Sequence, residues 1–203
     1  MLMKPLPRIT PLLAILATIS NPLQAAVVWA FGDPGITVVS AGGDGRDSSH
    51  PSQQDVIAPS LTISRNVTEG IFNVTEEARY VKFTSPAGTE WAFAGLGPDT
   101  SQNPTGVLFG ASQWMDLTFE PWSEALGRHG FLPDRTTGNL ADNIVGTSGV
   151  LHVIAEDIYI DIVFTEWGGT AGTWSYDRAS PIPEPSLAAL LALVAAALLR
   201  RKR

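Results

Sequence analysis

The chain has 203 residues, with 13 Lys and Arg against 20 Asp and Glu, 19 Gly, 15 Pro and no Cys. That length suits one domain with appendages. Gly and Pro stay below the share that marks low-complexity chains, which argues against wholesale disorder. The absence of Cys excludes disulfide staples, thiolate metal sites, iron–sulfur clusters and a cysteine nucleophile.

Residues 1–26 read as a secretory signal peptide. Lys4 and Arg8 give a positive start, Ile9 to Ile19 is mostly apolar, and Asn21-Pro22 breaks the run before the small residues Ala25 and Ala26. Cleavage is expected after Ala25 or Ala26 by signal peptidase. A retained amphipathic anchor is the alternative, but the apolar core is short for a bilayer.

The body, residues 27–180, carries 7 Lys and Arg against 19 Asp and Glu, a net charge of −12. This argues against nucleic-acid binding, which needs a basic stripe, and against docking on anionic lipid. In chain order, Ala26 to Ala30 and Ile36 to Ser40 read as short strands around the turn Gly32-Asp33-Pro34-Gly35. Gly42 to Ser49 reads as a polar loop. Strands are expected at Ser60 to Ser64, Gly70 to Val74, Arg79 to Thr84, Glu90 to Ala94 and Trp114 to Glu120, with one helical turn at Glu124 to His129.

The clearest strand is Ile158 to Trp167. Ile158, Ile160, Ile162 and Phe164 alternate with Tyr159, Asp161, Val163 and Thr165, so the first set should face a core and the second, Asp161 included, water. Val150 to Ala155 and a turn at Glu156-Asp157 would complete a hairpin, and Trp174 to Tyr176 would close the sheet. Many short strands with Gly and Pro punctuation predict an all-β ectodomain, a β-sandwich or jelly roll.

The chain ends in Pro181-Ile-Pro-Glu-Pro185, then Ser186 to Leu199 with thirteen apolar residues of fourteen, then Arg200, Arg201, Lys202 and Arg203. The prolines hold an extended segment. Fourteen helical residues span about 21 Å against a hydrocarbon core of ~30 Å, and snorkelling by the terminal cations covers much of the mismatch. A buried core helix of that length should show a polar face, and this one has none. A short transmembrane helix at 186–199 with a cytoplasmic basic stop at 200–203 is therefore expected.

Pro183-Glu184-Pro185, the short Leu/Ala helix and the basic end together resemble the PEP-CTERM protein-sorting signal of Gram-negative bacteria, over residues 181–203. The resemblance implies that an exosortase, a membrane-embedded cysteine transpeptidase-like enzyme, recognises and removes the tail after export across the inner membrane. The product would reach the cell surface or an extracellular matrix, in hosts that usually make exopolysaccharide and biofilm. A plain membrane anchor is the alternative. Separately, His152, Asp157, Asp161, Phe164 and Trp167 with Ser175-Tyr176 and Arg178, together with Trp91 and the Trp114 to Trp122 region, are similar to a segment of uncharacterised secreted bacterial β-proteins. That resemblance spans Ser64 to Ser180 and implies no activity.

The residues offer little for catalysis. No nucleophile elbow, zinc-protease helix or phosphate loop is present. Asp157 and Asp161 share a strand face at about 13 Å, too far for a glycosidase pair unless a cross-strand partner intervenes. His50, His129 and His152 are scattered, and His152 reads as a structural histidine. Asp33, Asp44 and Asp47 supply ingredients of a calcium site without the calcium-loop spacing; no other cofactor is indicated. Six Trp suggest either core filling or glycan stacking, with Trp167, Tyr159 and Asp161 the candidate ligand-binding residues. The sequons at Asn66 and Asn73 read as chance. Three functions follow in order: a non-catalytic surface or matrix protein, a glycan-binding module, and a secreted hydrolase.

Overall fold

Strand-forming runs and turn residues organise the described residues into nine strands and little helix. The computed structural model describes residues 25–94, 110–126, 144–169 and 172–182. Outside them lie most of the expected signal peptide, the Pro183-Glu184-Pro185 motif, the expected membrane helix, the basic stop at Arg200 to Arg203, and His129. Among the described residues no helix is long and apolar enough to cross a membrane.

The strands are β1 (Val27–Trp29), β2 (Ile36–Gly43), β3 (Asp55–Ala58), β4 (Leu61–Arg65), β5 (Ile71–Asn73), β6 (Thr89–Phe93), β7 (Ser148–Val153), β8 (Ile158–Trp167) and β9 (Trp174–Pro181). A six-stranded sheet runs β2-β9-β8-β7-β6, antiparallel throughout that path. The short β1 pairs parallel with the start of β8 at Val27↔Ile158. A second antiparallel sheet has the order β3-β4-β5. The chain is therefore mostly β.

The central hairpin forms as its alternation predicts. Ile160, Ile162 and Phe164 are fully buried, and Ile158 nearly so. They meet Trp91, Phe93 and Leu151 of the same sheet and Ile57, Leu61, Ile63 and Ile71 of the smaller one in a single apolar core. Asp157 closes the β7–β8 turn at φ 50°, a left-handed conformation that Asp tolerates better than most residues. Gly32 and Gly35 likewise take positive φ in the β1–β2 turn.

Three expectations fail, each for a physical reason. Arg79 to Thr84 is turn rather than strand: Val81 and Phe83 are exposed, Phe83 has φ 72°, and β propensity without a pairing edge does not make a strand. Trp114 to Asp116 instead belong to the 3-10 turn Ala111–Asp116, and of the remaining residues to Glu120 only Glu120 makes a bridge, to Trp91. Gly42 and Gly43 extend β2, because Gly42 meets the Trp174 carbonyl too closely for any Cβ. β3 was not anticipated; it forms because Pro59-Ser60 folds Asp55–Ala58 back on β4. The helical turn is α1 (Trp122–Ala125), slightly ahead of its expected place.

One buried and one half-buried polar tie join distant parts of the chain. Arg178 on β9 donates through Nε and Nη2 to both Asp55 oxygens, at 2.6 and 2.8 Å, and the Tyr176 hydroxyl donates to Asp55 Oδ2 at 2.7 Å. This links the two sheets across 123 positions. Glu156 in the β7–β8 turn accepts from the Ser60 amide and hydroxyl, at 3.1 and 2.6 Å.

Candidate functional site

Asp161 does not face water. The carboxylate is 8% exposed. Its Oδ2 accepts from the Phe31 amide at 2.7 Å and its Oδ1 from the Ala111 amide at 2.6 Å. The β1–β2 turn and the 3-10 turn are thereby pinned to β8. Gly110 permits this approach, since a Cβ there would stand 3.2 Å from Oδ1. The alternation of β8 is as expected, but its second face is covered. Ala111, Trp114, Leu117 and Phe119 pack over Val150 and Tyr159 in a second apolar cluster.

Beside Asp161 the fold leaves a cavity of about 260 Å³. Asp33, Ser112, Gln113 and Ser148 supply its polar wall along with Asp161, and Phe31 and Val163 add apolar surface. Burial pushes the Asp161 carboxyl above the usual carboxylate range. The two amide donors pull the other way, and the charge of Asp33 adds to the rise. Asp33 itself is exposed at the mouth.

Tyr159, on the same face, is not an open platform. Its ring is sandwiched between Trp114 and His152, with centroids 4.2 Å away on each side, and Phe119 meets it edge-on. Burial raises the Tyr159 pKa, and Asp157 and Glu90 raise it further. His152 lies between Glu90 and Asp157, at 3.6 and 3.3 Å. Asp157 is thus engaged by a histidine and Asp161 by backbone amides. The two carboxylates do not share a reaction centre.

Trp167 stands on the other face. The pairing slips between Phe164 and Glu166, and this irregularity turns Trp167 back toward the core side, against Trp122 and Phe164. The Arg65 guanidinium lies 3.8 Å over its ring. Arg65 is 1% exposed and donates to the carbonyls of Glu69, Gly168 and Thr173. Burial lowers its pKa to about 10. The expected trio is therefore split: Tyr159 and Asp161 share a face, and Trp167 does not join them.

Of the remaining Trp, Trp91, Trp122 and Trp174 fill the core and Trp29 and Trp114 are half-buried. The calcium ingredients are separated in use. Asp33 borders the cavity, whereas Asp44 and Asp47 accept from backbone amides two residues ahead in their own loop. Among the described residues no group of three or more His, Asp or Glu is placed to hold a metal ion. Asn73 is fully buried, its amide bonded to the Ser60 and Ala87 carbonyls, so that sequon is closed to modification in the folded protein. The cavity residues Ser112, Gln113 and Ser148 carried no signal in the sequence. Comparison of the chain with protein-family models, with curated proteins and with solved structures finds no match.

Proposed function

We propose that this chain is a non-catalytic exported protein of the cell surface or extracellular matrix of a Gram-negative bacterium, sorted by a PEP-CTERM/exosortase system and linked to exopolysaccharide or biofilm. In this reading the two sheets form a β-sandwich ectodomain carried between two address segments. One observation carries it: among the described residues, the strands fill the span between those two expected segments. β1 starts at Val27, and β9 ends at Pro181, where the exposed Ile182 makes a last bond to the Gly35 carbonyl at 2.8 Å.

Val27 and Pro181 also lie toward the same end of the strands, beside the start of β8. Val27 pairs with Ile158, and Pro181 lies three residues beyond Arg178, which pairs with Ile162. A precursor held at both ends by the inner membrane would therefore present one pole of the fold to it. In sequence, Pro183-Glu184-Pro185 follows one residue after β9.

The test is intact-mass analysis of membrane and released fractions from the native host. Wild type should lose both the signal peptide and the tail. Glu184→Ala should lose only the signal peptide and stay in the inner membrane, and replacement of Arg200 to Arg203 by Gln should lower correct insertion. Wild-type protein with its full C-terminus in every fraction would refute exosortase sorting and leave a plain anchor.

A further inference from the structure

We propose that the cavity beside Asp161 binds a single neutral sugar residue, either a monosaccharide or a chain end. This deepens the proposed function by giving the ectodomain a ligand class. The reasoning rests on what the cavity walls offer. At about 260 Å³ it lies near the low end of small-ligand pockets, which suits one ring and excludes a length of polymer. Asp33 and Asp161 offer carboxylate acceptors, and Ser112, Gln113 and Ser148 each donate and accept. Such a mixture matches adjacent hydroxyl groups, each of which also donates and accepts.

The two Asp161 oxygens each use one lone-pair direction on a backbone amide, at 2.6 and 2.7 Å. Each retains further acceptor capacity, and the amides fix the carboxylate before any ligand arrives. Phe31 stands 37% exposed at the rim and Val163 is half-buried, so apolar surface is available for the C–H face of a pyranose.

The same walls exclude the neighbouring ligand classes. Among the described residues no Lys or Arg lines the cavity, and two carboxylates would repel a phosphate, a sulfate or a uronate. A calcium ion takes six to eight oxygens. Among the described residues only two carboxylates line the cavity, and no group of three His, Asp or Glu is placed to hold a metal ion. A general-acid role would need a second carboxyl held at a fixed spacing. Asp33 is exposed on a turn instead.

The full-length chain in detergent micelles, its tail state recorded by intact mass, is titrated with methyl glucoside, methyl galactoside and methyl mannoside. Saturation-transfer NMR reads binding, with glucuronate and calcium chloride as separate arms. At least one neutral glycoside should receive saturation, and glucuronate none. Gln113→Ala and Asp33→Asn should each weaken binding about tenfold, the worth of one good hydrogen bond, with unchanged melting curves. No transfer to any neutral glycoside overturns the proposal. So do equal affinity in both variants, binding that requires calcium, and release of methanol. Because tail removal is read on the same samples, failure here is separable from failure of exosortase sorting.

Discussion

Removing Asp55 should be among the most damaging single changes available in this fold. Asp55 and Arg178 are 7% and 4% exposed, and Tyr176 is fully buried. In Asp55→Ala the guanidinium keeps only long contacts to the Ala179 and Val56 carbonyls, at 3.4 and 3.5 Å, and the Tyr176 hydroxyl loses its acceptor. Burial by itself would lower the Arg178 pKa; the hydrogen bonds and charge of Asp55, with Tyr176 adding, outweigh it and leave it raised. Without Asp55 that raise falls away and the lowering by burial is left, but a guanidinium starts so high that it still stays charged near neutral pH. Leaving one member of a buried pair alone costs about 3–5 kcal/mol. Against a total of ~5–15 kcal/mol that is a large fraction, worth roughly 10 °C in Tm.

The control removes the whole triad. Asp55→Ala combined with Arg178→Met and Tyr176→Phe leaves no buried charge and no orphaned hydroxyl, so it should recover most of the loss. Thermal melts by circular dichroism on the full-length chain in detergent measure all three proteins. Loss below about 1 kcal/mol in Asp55→Ala, or a triple variant no better than the single, would refute this reasoning. The exposed Arg46–Asp44 pair, with side chains 82% and 47% exposed, gives the contrast. Arg46→Ala should shift the melt by no more than a surface pair does, about 0.5 kcal/mol.

Two other substitutions test the faces of β8 and the loop tie. Ile160→Asp should abolish folding, because it puts an unpaired carboxylate in the core. Asp161→Asn should cost about 1–3 kcal/mol, since an amide NH₂ must then face a backbone N–H. Burial raises the folded Asp161 pKa, so this carboxyl's contribution is complete below the unfolded value and is lost as pH rises through the folded one. The wild type's margin over Asp161→Asn in melts should thus be wider near about pH 4 than near about pH 7, and a margin that widens toward neutral would reverse the assigned balance. Arg65→Met should cost about 2 kcal/mol by leaving three carbonyls without donors. Arg65→Lys should recover under half of that in the same melts, because an ammonium cannot reproduce the planar fork over Trp167.

Where the sequence was legible, a local pattern and a long-range fact agreed. The β7–β8 hairpin is the best case: alternation set the faces, a short turn set the register, and the core accepted both. Arg79 to Thr84 has an equally strand-like pattern, but among the described residues no strand pairs with it. A period of two records which side chains can share a face, not whether a partner strand exists.

Asp161 shows why the candidate site was hidden. Polar alternation on β8 read as a solvated face, yet the groups that bury it come from Phe31 and Ala111, 130 and 50 positions away. The cavity is built the same way, from the β1–β2 turn, the 3-10 turn and the β7–β8 hairpin. Trp167 was misplaced by a single irregularity in pairing, since one extra residue in a strand reverses the face of everything after it.

A common device accounts for both the buried acids and the illegibility. Asp55, Glu156 and Asp161 are used as acceptors for donors at least 96 positions away or drawn from separate segments of the chain. In a chain without cysteines, such ties occupy the place that disulfides hold elsewhere, but they act differently. A disulfide constrains the unfolded ensemble. A buried carboxylate adds little net stability when satisfied and penalises every arrangement that leaves it unsatisfied. The acids therefore select this packing of the two sheets over its competitors, whereas the apolar faces of β4 to β8 supply the drive to pack at all. That division follows from the dielectric, because the same low-polarity interior that makes apolar burial favourable makes a misplaced carboxylate prohibitive.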